Sequence, residues 1–233
     1  MILMRAGELS WKELGDAKAQ KPPALIVFGA IEPHGKHLPL DTDSIIPNEI
    51  ARRLEKEMGE GLIVFPTVNY GYVYTLRKYP GAISLSSRTL QAVAEDIFSE
   101  LCREGFGRFL VISGHGGNTG PIKCALKELS DDFEFRAAVI EWWKLTEVEA
   151  GHADKVEASL VLAAGGSLRE EPVQEERKDY SYAIIPTPDD LFTPSGYIGK
   201  VDGISRELGE KVYNEVIGKL KKIVSNDLLY SEE

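Results

Sequence analysis

The sequence ALIVFGAIEPHGKHLPLDTD occupies residues 24–43 and joins a strand pattern to a group of polar side chains. Its first seven residues, 24–30, form a near-continuous apolar run, which is typical of a strand buried on both faces of a sheet. Glu32 and His34 follow directly, and residues two apart in an extended segment point the same way. We therefore expect a buried strand that delivers both side chains to one cavity at its carboxyl end.

A second segment repeats this arrangement. The apolar run RFLVIS at residues 108–113 predicts another buried strand, and the loop GHGGN at residues 114–118 follows it. Because neighbouring parallel strands end at the same edge of a sheet, His115 is expected beside the first cluster. Asn118 either braces this loop or caps the next helix.

Three of the four histidines, His34, His37 and His115, fall in these two loops. Taken singly, such residues fit structural roles: Asp43 can cap a helix, and His37 can lie at the surface or support a neighbour. Their concentration favours a metal centre, because carboxylate and imidazole together suit divalent transition metals. The sequence predicts Glu32, His34, Asp43 and His115 as ligands, with the Asp43 carboxylate bridging two cations.

The fourth histidine, His152, precedes an expected helix that begins near Asp154 and carries Glu157 in its first turn. One interpretation is a capping box at the start of this helix. The other makes Glu157 a further metal ligand and His152 a proton-transfer group. The spacing alone does not separate these two interpretations.

Alternating strand and helix patterns predict one α/β domain over residues 1–233, with a largely parallel sheet covered by helices on both faces. The loop at residues 69–81 is rich in tyrosine. Beyond the two strands above, the expected elements are strands at 61–66 and 135–141, helices at about 47–59, 86–105, 119–129 and 154–163, a loop with short strands at 165–201, and a final helix at about 205–224.

Charge and composition exclude several classes of protein. The formal net charge of −10 disfavours nucleic-acid binding, which needs clustered lysine and arginine. No apolar run approaches the length of a membrane span. Cys102 and Cys124 lack metal-binding spacing, so we expect two reduced, packed thiols in a cytoplasmic protein, with a disulfide between them as the alternative.

Taken together, the motifs resemble those of the creatininase family. The resemblance rests on Glu32-x-His34-Gly-x-His37-Leu-Pro to Asp43, on the Gly-His-Gly-Gly-Asn loop at 114–118, and on the segment from His152 to Glu157. It implies a three-layer α/β/α sandwich and two divalent ions, commonly zinc, manganese or iron. It also implies hydrolysis of an amide-type C–N bond in a small-molecule substrate, and a homo-oligomer, often a hexamer.

The resemblance assigns roles to individual positions. Glu32 and His115 would serve one metal, His34 the other, and Asp43 both. Creatinine hydrolases carry Tyr and a metal-binding Glu where this chain has Gly116 and Gly117. The expected substitute ligand is Glu157.

Other family branches are also similar to this chain. The Gly-His-Gly-Gly-Asn form resembles a deformylase of a formylamino-pyrimidine ribonucleotide and a peptidase of a redox-cofactor precursor. The expected reaction is therefore hydrolysis of a formamide or cyclic amide, with the nucleotide deformylase or a non-catalytic metal-binding homologue as alternatives. A nucleotide-binding oxidoreductase is a weaker rival, because neither glycine loop has the dinucleotide-binding spacing.

Overall fold

A computed structural model describes residues 4–229 and shows a four-stranded, all-parallel sheet. The strands lie in the order β2–β1–β3–β4, which places the two strands with polar loops side by side at the centre. Every residue of β1 is buried, as its continuous apolar pattern predicts. The strand bounds are Ala24–Phe28 for β1, Ile63–Val64 for β2, Arg108–Ser113 for β3 and Arg136–Glu141 for β4.

Helices cover both faces of this sheet and divide the core into two clusters. Alternate β1 side chains point to opposite faces, so Leu25 and Val27 pack with α2, α5 and α6, whereas Ala24 and Ile26 pack with α3 and α4. The three-layer α/β/α prediction is confirmed. The helix bounds are Trp11–Lys18 for α1, Thr42–Met58 for α2, Ser87–Arg103 for α3, Thr119–Leu129 for α4, Lys155–Ala163 for α5 and Arg206–Ile223 for α6.

Helix α2 starts earlier than the sequence predicted. It begins at Thr42, so Pro47 lies inside the helix and Asp43 lies in its first turn rather than at its cap. A proline at this point has no N–H to donate to the carbonyl four residues earlier, which belongs to Asp43. Only one first-turn hydrogen bond is lost in this way, and the helix continues through the proline.

Three other elements differ from the prediction. Strand β2 has only two residues, and residues 165–201 form a loop without strands, apart from an isolated bridge between His152 and Ile198. Helix α1 was not predicted, although Ser10 and Glu13 form a capping box at its start. None of its residues is fully buried, and its contact with the core is made by Leu14 and Ala17, too short an apolar stripe to mark a helix in the sequence.

Two further predictions concern membrane-spanning segments and the state of the two cysteines. Across residues 4–229, no helix is long and apolar enough to cross a membrane. Cys102 and Cys124 lie on α3 and α4 and are both free thiols. Cys102 is partly buried, but Cys124 is exposed, so the prediction that both thiols are packed is wrong for Cys124.

Candidate metal centre

Side chains from four parts of the fold meet at the carboxyl edge of the sheet. Glu32 and His34 follow β1, and His115 follows β3. Asp43 comes from the first turn of α2 and Glu157 from the first turn of α5. The fold thus brings together the residues that the sequence predicted as ligands.

The side chains of this cluster approach one another closely enough to share ligands. Asp43 lies between two imidazoles: its Oδ1 is 3.1 Å from His34 Nε2 and its Oδ2 is 3.4 Å from His115 Nδ1. Glu32 Oε1 is 2.9 Å from His115 Nδ1, and Glu157 Oε2 is 3.7 Å from His34 Nε2. Asp43 therefore faces the two imidazoles with a different oxygen for each, whereas Glu32 approaches both with the single atom Oε1, which is also 3.9 Å from His34 Nε2.

Three histidines are each fixed by a main-chain carbonyl. His34 Nδ1 bonds the Glu32 carbonyl at 3.1 Å, His115 Nε2 bonds that of Tyr72 at 2.9 Å, and His152 Nε2 bonds that of Pro33 at 2.9 Å. Since each of these nitrogens donates its hydrogen, the other ring nitrogen is left facing the carboxylates. Histidines that bind metals are characteristically oriented in this way.

The pKa values reflect three carboxylates and three imidazoles in a buried space. Burial opposes the charged ring of His34, but Asp43 and the other carboxylates raise its pKa to about 10. Burial likewise opposes ionisation of Asp43, yet the imidazoles hold its pKa below the usual value. Burial raises the pKa of Glu157 to about 8, and burial together with the charge of His34 lowers that of His152 to about 3. In the metal-free cluster, protons on His34 and His115 balance the carboxylate charge.

The cluster has the composition and the unused oxygens that a metal site needs. Glu32 Oε2 and Asp43 Oδ2 are buried without a hydrogen-bond partner, which is costly for a carboxylate unless a cation is present. The ligand atoms of three groups each lie within 4.8 Å of one another. The groups are Glu32–Asp43–His115, His34–Asp43–Glu157 and Glu32–His34–His152.

A cavity of about 290 Å³ opens onto this cluster. Its walls combine the carboxylates with the glycines of the 114–117 loop and with apolar side chains. Trp143 and Phe192 supply aromatic surfaces, and the ring of Phe192 meets that of His152 edge-on at 5.7 Å. A compact, largely apolar molecule fits such a space beside the polar cluster.

The family model described as creatininase, creatinine amidohydrolase, matches residues 7–224. The chain belongs to the creatininase family. Membership makes it an amidohydrolase, an enzyme that hydrolyses amide-type C–N bonds.

Two curated relatives and one solved structure illustrate the similarity. The creatinine amidohydrolase of Pseudomonas putida is 30% identical, over 88% of this chain and 90% of the relative. The mycofactocin precursor peptide peptidase of Mycolicibacterium smegmatis is 29% identical, over 60% of this chain and 57% of that protein. The structure of a creatininase mutant complexed with creatine is 25% identical, with a TM-score of 0.85 and coverage of 96% of this chain and 98% of that chain.

His37 and Asn118, the two residues expected to support the cluster from outside, are both buried. Asn118 joins three loops: its side-chain amide donates to the Gly29 carbonyl at 2.9 Å and accepts from the Tyr72 N–H at 3.0 Å. The Tyr72 carbonyl in turn holds His115. Asn118 thus acts on the cluster as a brace and makes no side-chain cap on α4.

The hydrogen bond made by His37 goes to the main chain rather than to the side chain of a predicted ligand. His37 Nε2 bonds the main-chain carbonyl of Ala153 at 2.9 Å. Asp154 is the N-cap of α5, whereas the Glu157 carboxylate accepts from the N–H of Ala153, one residue before the cap. This arrangement differs from the reciprocal capping box, and it leaves Glu157 facing His34.

The resemblance to creatinine hydrolases places Gly117 where a metal-binding glutamate is expected, and the fold leaves no room there for a side chain. A Cβ atom at residue 117 would lie 2.2 Å from the Tyr72 carbonyl oxygen and 2.6 Å from His115 Nε2, the two atoms that bond each other. Glu157 approaches the same cluster from α5 instead. Glu157 can therefore supply the carboxylate for which residue 117 has no space.

Gly117→Ala should lower the free energy of unfolding by about 1–3 kcal/mol, because the added methyl group would push the Tyr72 carbonyl and the His115 ring apart. It should also weaken metal binding, since His115 loses the carbonyl that orients it. Urea unfolding and metal titration measure the two effects. Gly120→Ala on α4 is the matched control, because a Cβ there meets nothing within 4 Å. Equal stability of the two variants would contradict the packing argument.

Two cavity residues had no signal in the sequence. Trp143 and Phe192 line the cavity but come from segments without a recognisable motif. The tyrosine-rich loop at 69–81 supports the cluster through the main-chain carbonyl of Tyr72 rather than through a tyrosine side chain. Main-chain contacts of this kind depend on the tertiary fold and leave no trace in residue type.

Proposed function

We propose that this creatininase-family amidohydrolase holds two divalent ions and hydrolyses a formamide or cyclic amide bond in a small molecule. The observation that carries the proposal is the meeting of Glu32, His34, Asp43 and His115 beside a cavity, with two buried carboxylate oxygens that have no hydrogen-bond partner. Family membership and the creatine complex of a structural relative support the choice of substrate class.

The two proposed ion sites share one carboxylate. Glu32 and His115 would hold one ion and His34 and Glu157 the other, with Asp43 between them. Oxygen and imidazole donors accept zinc, manganese or iron, so the donor set fits all three. When bound, such ions would acidify a water molecule and polarise the substrate carbonyl.

Side chains of the protein would carry out the proton transfers of the reaction. His152 is neutral because its pKa is low, and its Nε2 is occupied by the Pro33 carbonyl. Its free Nδ1 lies 3.6 Å from Glu32 Oε1, so this nitrogen faces the cluster. His152 would deliver a proton to the leaving nitrogen, because a protonated ring of low pKa gives up its proton readily, with Glu157 as the alternative donor. Main-chain N–H groups of Gly116 and Gly117, which line the cavity, are candidate donors to the developing oxyanion.

The cavity favours a substrate without a phosphate. Among the described residues that line it are three carboxylates and two histidines, with no lysine or arginine that could pair with a phosphate. Arg77 stacks on the Tyr74 ring and Lys78 pairs with Asp189, and neither side chain lines the cavity. A formamide or cyclic amide on a compact, uncharged body is therefore better supported than the nucleotide substrate of the deformylase branch.

Metal binding should strengthen as the pH rises. In the metal-free protein the pKa of His34 is about 10 and that of Glu157 about 8, so both groups are protonated at pH 7 and must release their protons to an ion. Each released proton raises the binding constant by about tenfold per pH unit below these values. Calorimetric titration with zinc or manganese at pH 6 and 7.5 measures the change. Affinity that is constant or falls over this range would contradict the proposed ligands.

An activity screen of metal-reconstituted protein tests the reaction itself. Formanilide-type formamides, small cyclic amides, a formamido-pyrimidine nucleotide and short peptides should be compared, with the first two classes hydrolysed fastest. Faster turnover of the nucleotide would favour the deformylase alternative. Two bound ions without hydrolysis of any substrate would favour the non-catalytic homologue and overturn the proposed reaction.

A further inference from the structure

Ala153 has an unusual backbone for a buried alanine. Its φ is +50°, in the left-handed region that disfavours residues with a Cβ, and the residue is fully buried. It lies directly after His152 and one residue before the N-cap of α5. Backbone strain of this kind persists only when the surroundings hold it in place, so the contacts of Ala153 are informative.

Both polar groups of Ala153 are used by residues of the site. Its N–H donates to the Glu157 carboxylate, and its carbonyl accepts from His37 Nε2 at 2.9 Å. The His37 ring is 1% exposed and packs edge-on against Tyr197 at 6.3 Å. His37 is thereby linked to Glu157 through a single residue, although the two side chains do not touch.

The other side of this segment is held independently. His152 and Ile198 exchange two main-chain hydrogen bonds of 2.8 and 2.7 Å, and the Lys155 N–H donates to the Lys200 carbonyl. These hydrogen bonds fix the main chain before and after Ala153, but none of them involves the Ala153 carbonyl. His37 is the partner that this carbonyl has in the described structure, and without it a buried acceptor would be left unpaired.

We infer that His37 is a positioning residue that sets the orientation of Glu157 and His152 through the backbone of Ala153. The inference rests on the proposed function for its catalytic consequence, but its structural step stands on the contacts alone. Loss of the hydrogen bond from His37 would let the backbone of Ala153 relax from its left-handed conformation. The Glu157 carboxylate would then lose its Ala153 donor, and the His152 ring would turn relative to the cluster.

The test compares His37→Leu, which removes the donor, with His37→Gln, whose amide nitrogen can reach the place of Nε2. In metal-free, ¹⁵N-labelled protein, the Ala153 amide resonance should shift in His37→Leu and return towards the wild-type position in His37→Gln. In the metal-loaded protein, His37→Leu should lower kcat by about 10–100-fold with little change in KM, and His37→Gln should recover most of the loss.

A control separates positioning from general destabilisation. Tyr197→Phe keeps the ring that packs on His37 but removes the hydroxyl that donates to the Val173 carbonyl and accepts from the Glu175 N–H. It should lower the melting temperature without moving the Ala153 resonance. His37→Asn, whose amide stops short of the Ala153 carbonyl, repeats the loss with a polar side chain if His37→Leu does not fold.

The outcomes distinguish this inference from the proposed function. An unchanged Ala153 resonance in both His37→Leu and His37→Asn would overturn the positioning role and leave the proposed function standing. Wild-type protein that binds no divalent ion would overturn the proposed function, while the metal-free spectra would still decide the role of His37.

Discussion

Asp43→Ala should abolish the retention of both ions and lower amide hydrolysis by roughly a thousandfold or more, a loss of about 4 kcal/mol of transition-state stabilisation. The reason is geometric. The two oxygens of Asp43 face different histidines, His34 at 3.1 Å and His115 at 3.4 Å, so one substitution removes a donor from both proposed ion sites. Metal analysis after dialysis and steady-state kinetics measure the two effects.

The fold should survive this substitution. Asp43 lies in the first turn of α2, but its side chain does not cap the helix, and alanine is a good helix former. Asp41→Ala is the matched control, since Asp41 is exposed, only two residues away, and makes no side-chain cap bond. Full metal content in Asp43→Ala would refute the bridging role, and equal metal loss in both variants would point to a local disturbance of α2.

Much of the fold could be predicted because the central strands carry an unambiguous pattern. The run at residues 24–30 is apolar on both faces, which only a doubly covered strand requires, and β1 is accordingly buried throughout. The sequence pattern did not predict elements that bury few side chains. Helix α1 has no buried residue, and two-residue β2 is too short for a period to show. The start of α2 differs from the prediction because a proline usually marks the first turn of a helix, whereas Pro47 lies five residues after Thr42, the first residue of α2.

The candidate site could be predicted where side-chain type carries the chemistry. Glu32, His34, Asp43 and His115 converge as expected because β1 and β3 are adjacent and parallel, which places their loops at one edge. The roles of these residues as ligands remain predictions. What the sequence could not show is the main-chain part of the site, such as the carbonyl of Tyr72, since it depends on tertiary packing.

Glu157 has two possible roles, metal ligand and proton donor, and Glu157→Gln separates them. If Glu157 is a ligand, the substitution should reduce the metal content from two ions to one, because a neutral amide oxygen replaces a carboxylate beside His34. If it transfers protons instead, both ions should remain while kcat falls by roughly 10²–10⁴-fold and the pH profile changes. Glutamine keeps the size of the side chain and an oxygen that can accept from the Ala153 N–H, so the turn before α5 should persist.

We expect the loss of one ion. Glu157 Oε2 faces His34 Nε2 at 3.7 Å, and both belong with Asp43 to one candidate group whose ligand atoms lie within 4.8 Å of one another. Without Glu157, the proposed second ion would keep only His34 and the shared Asp43, too few protein ligands for a stable zinc or manganese site. Glu149→Gln, at an exposed glutamate near the same helix, is the control and should retain both ions. Two ions in Glu157→Gln would remove Glu157 from the ligand set, and the space closed at Gly117 would then leave the creatininase glutamate without a replacement in this chain.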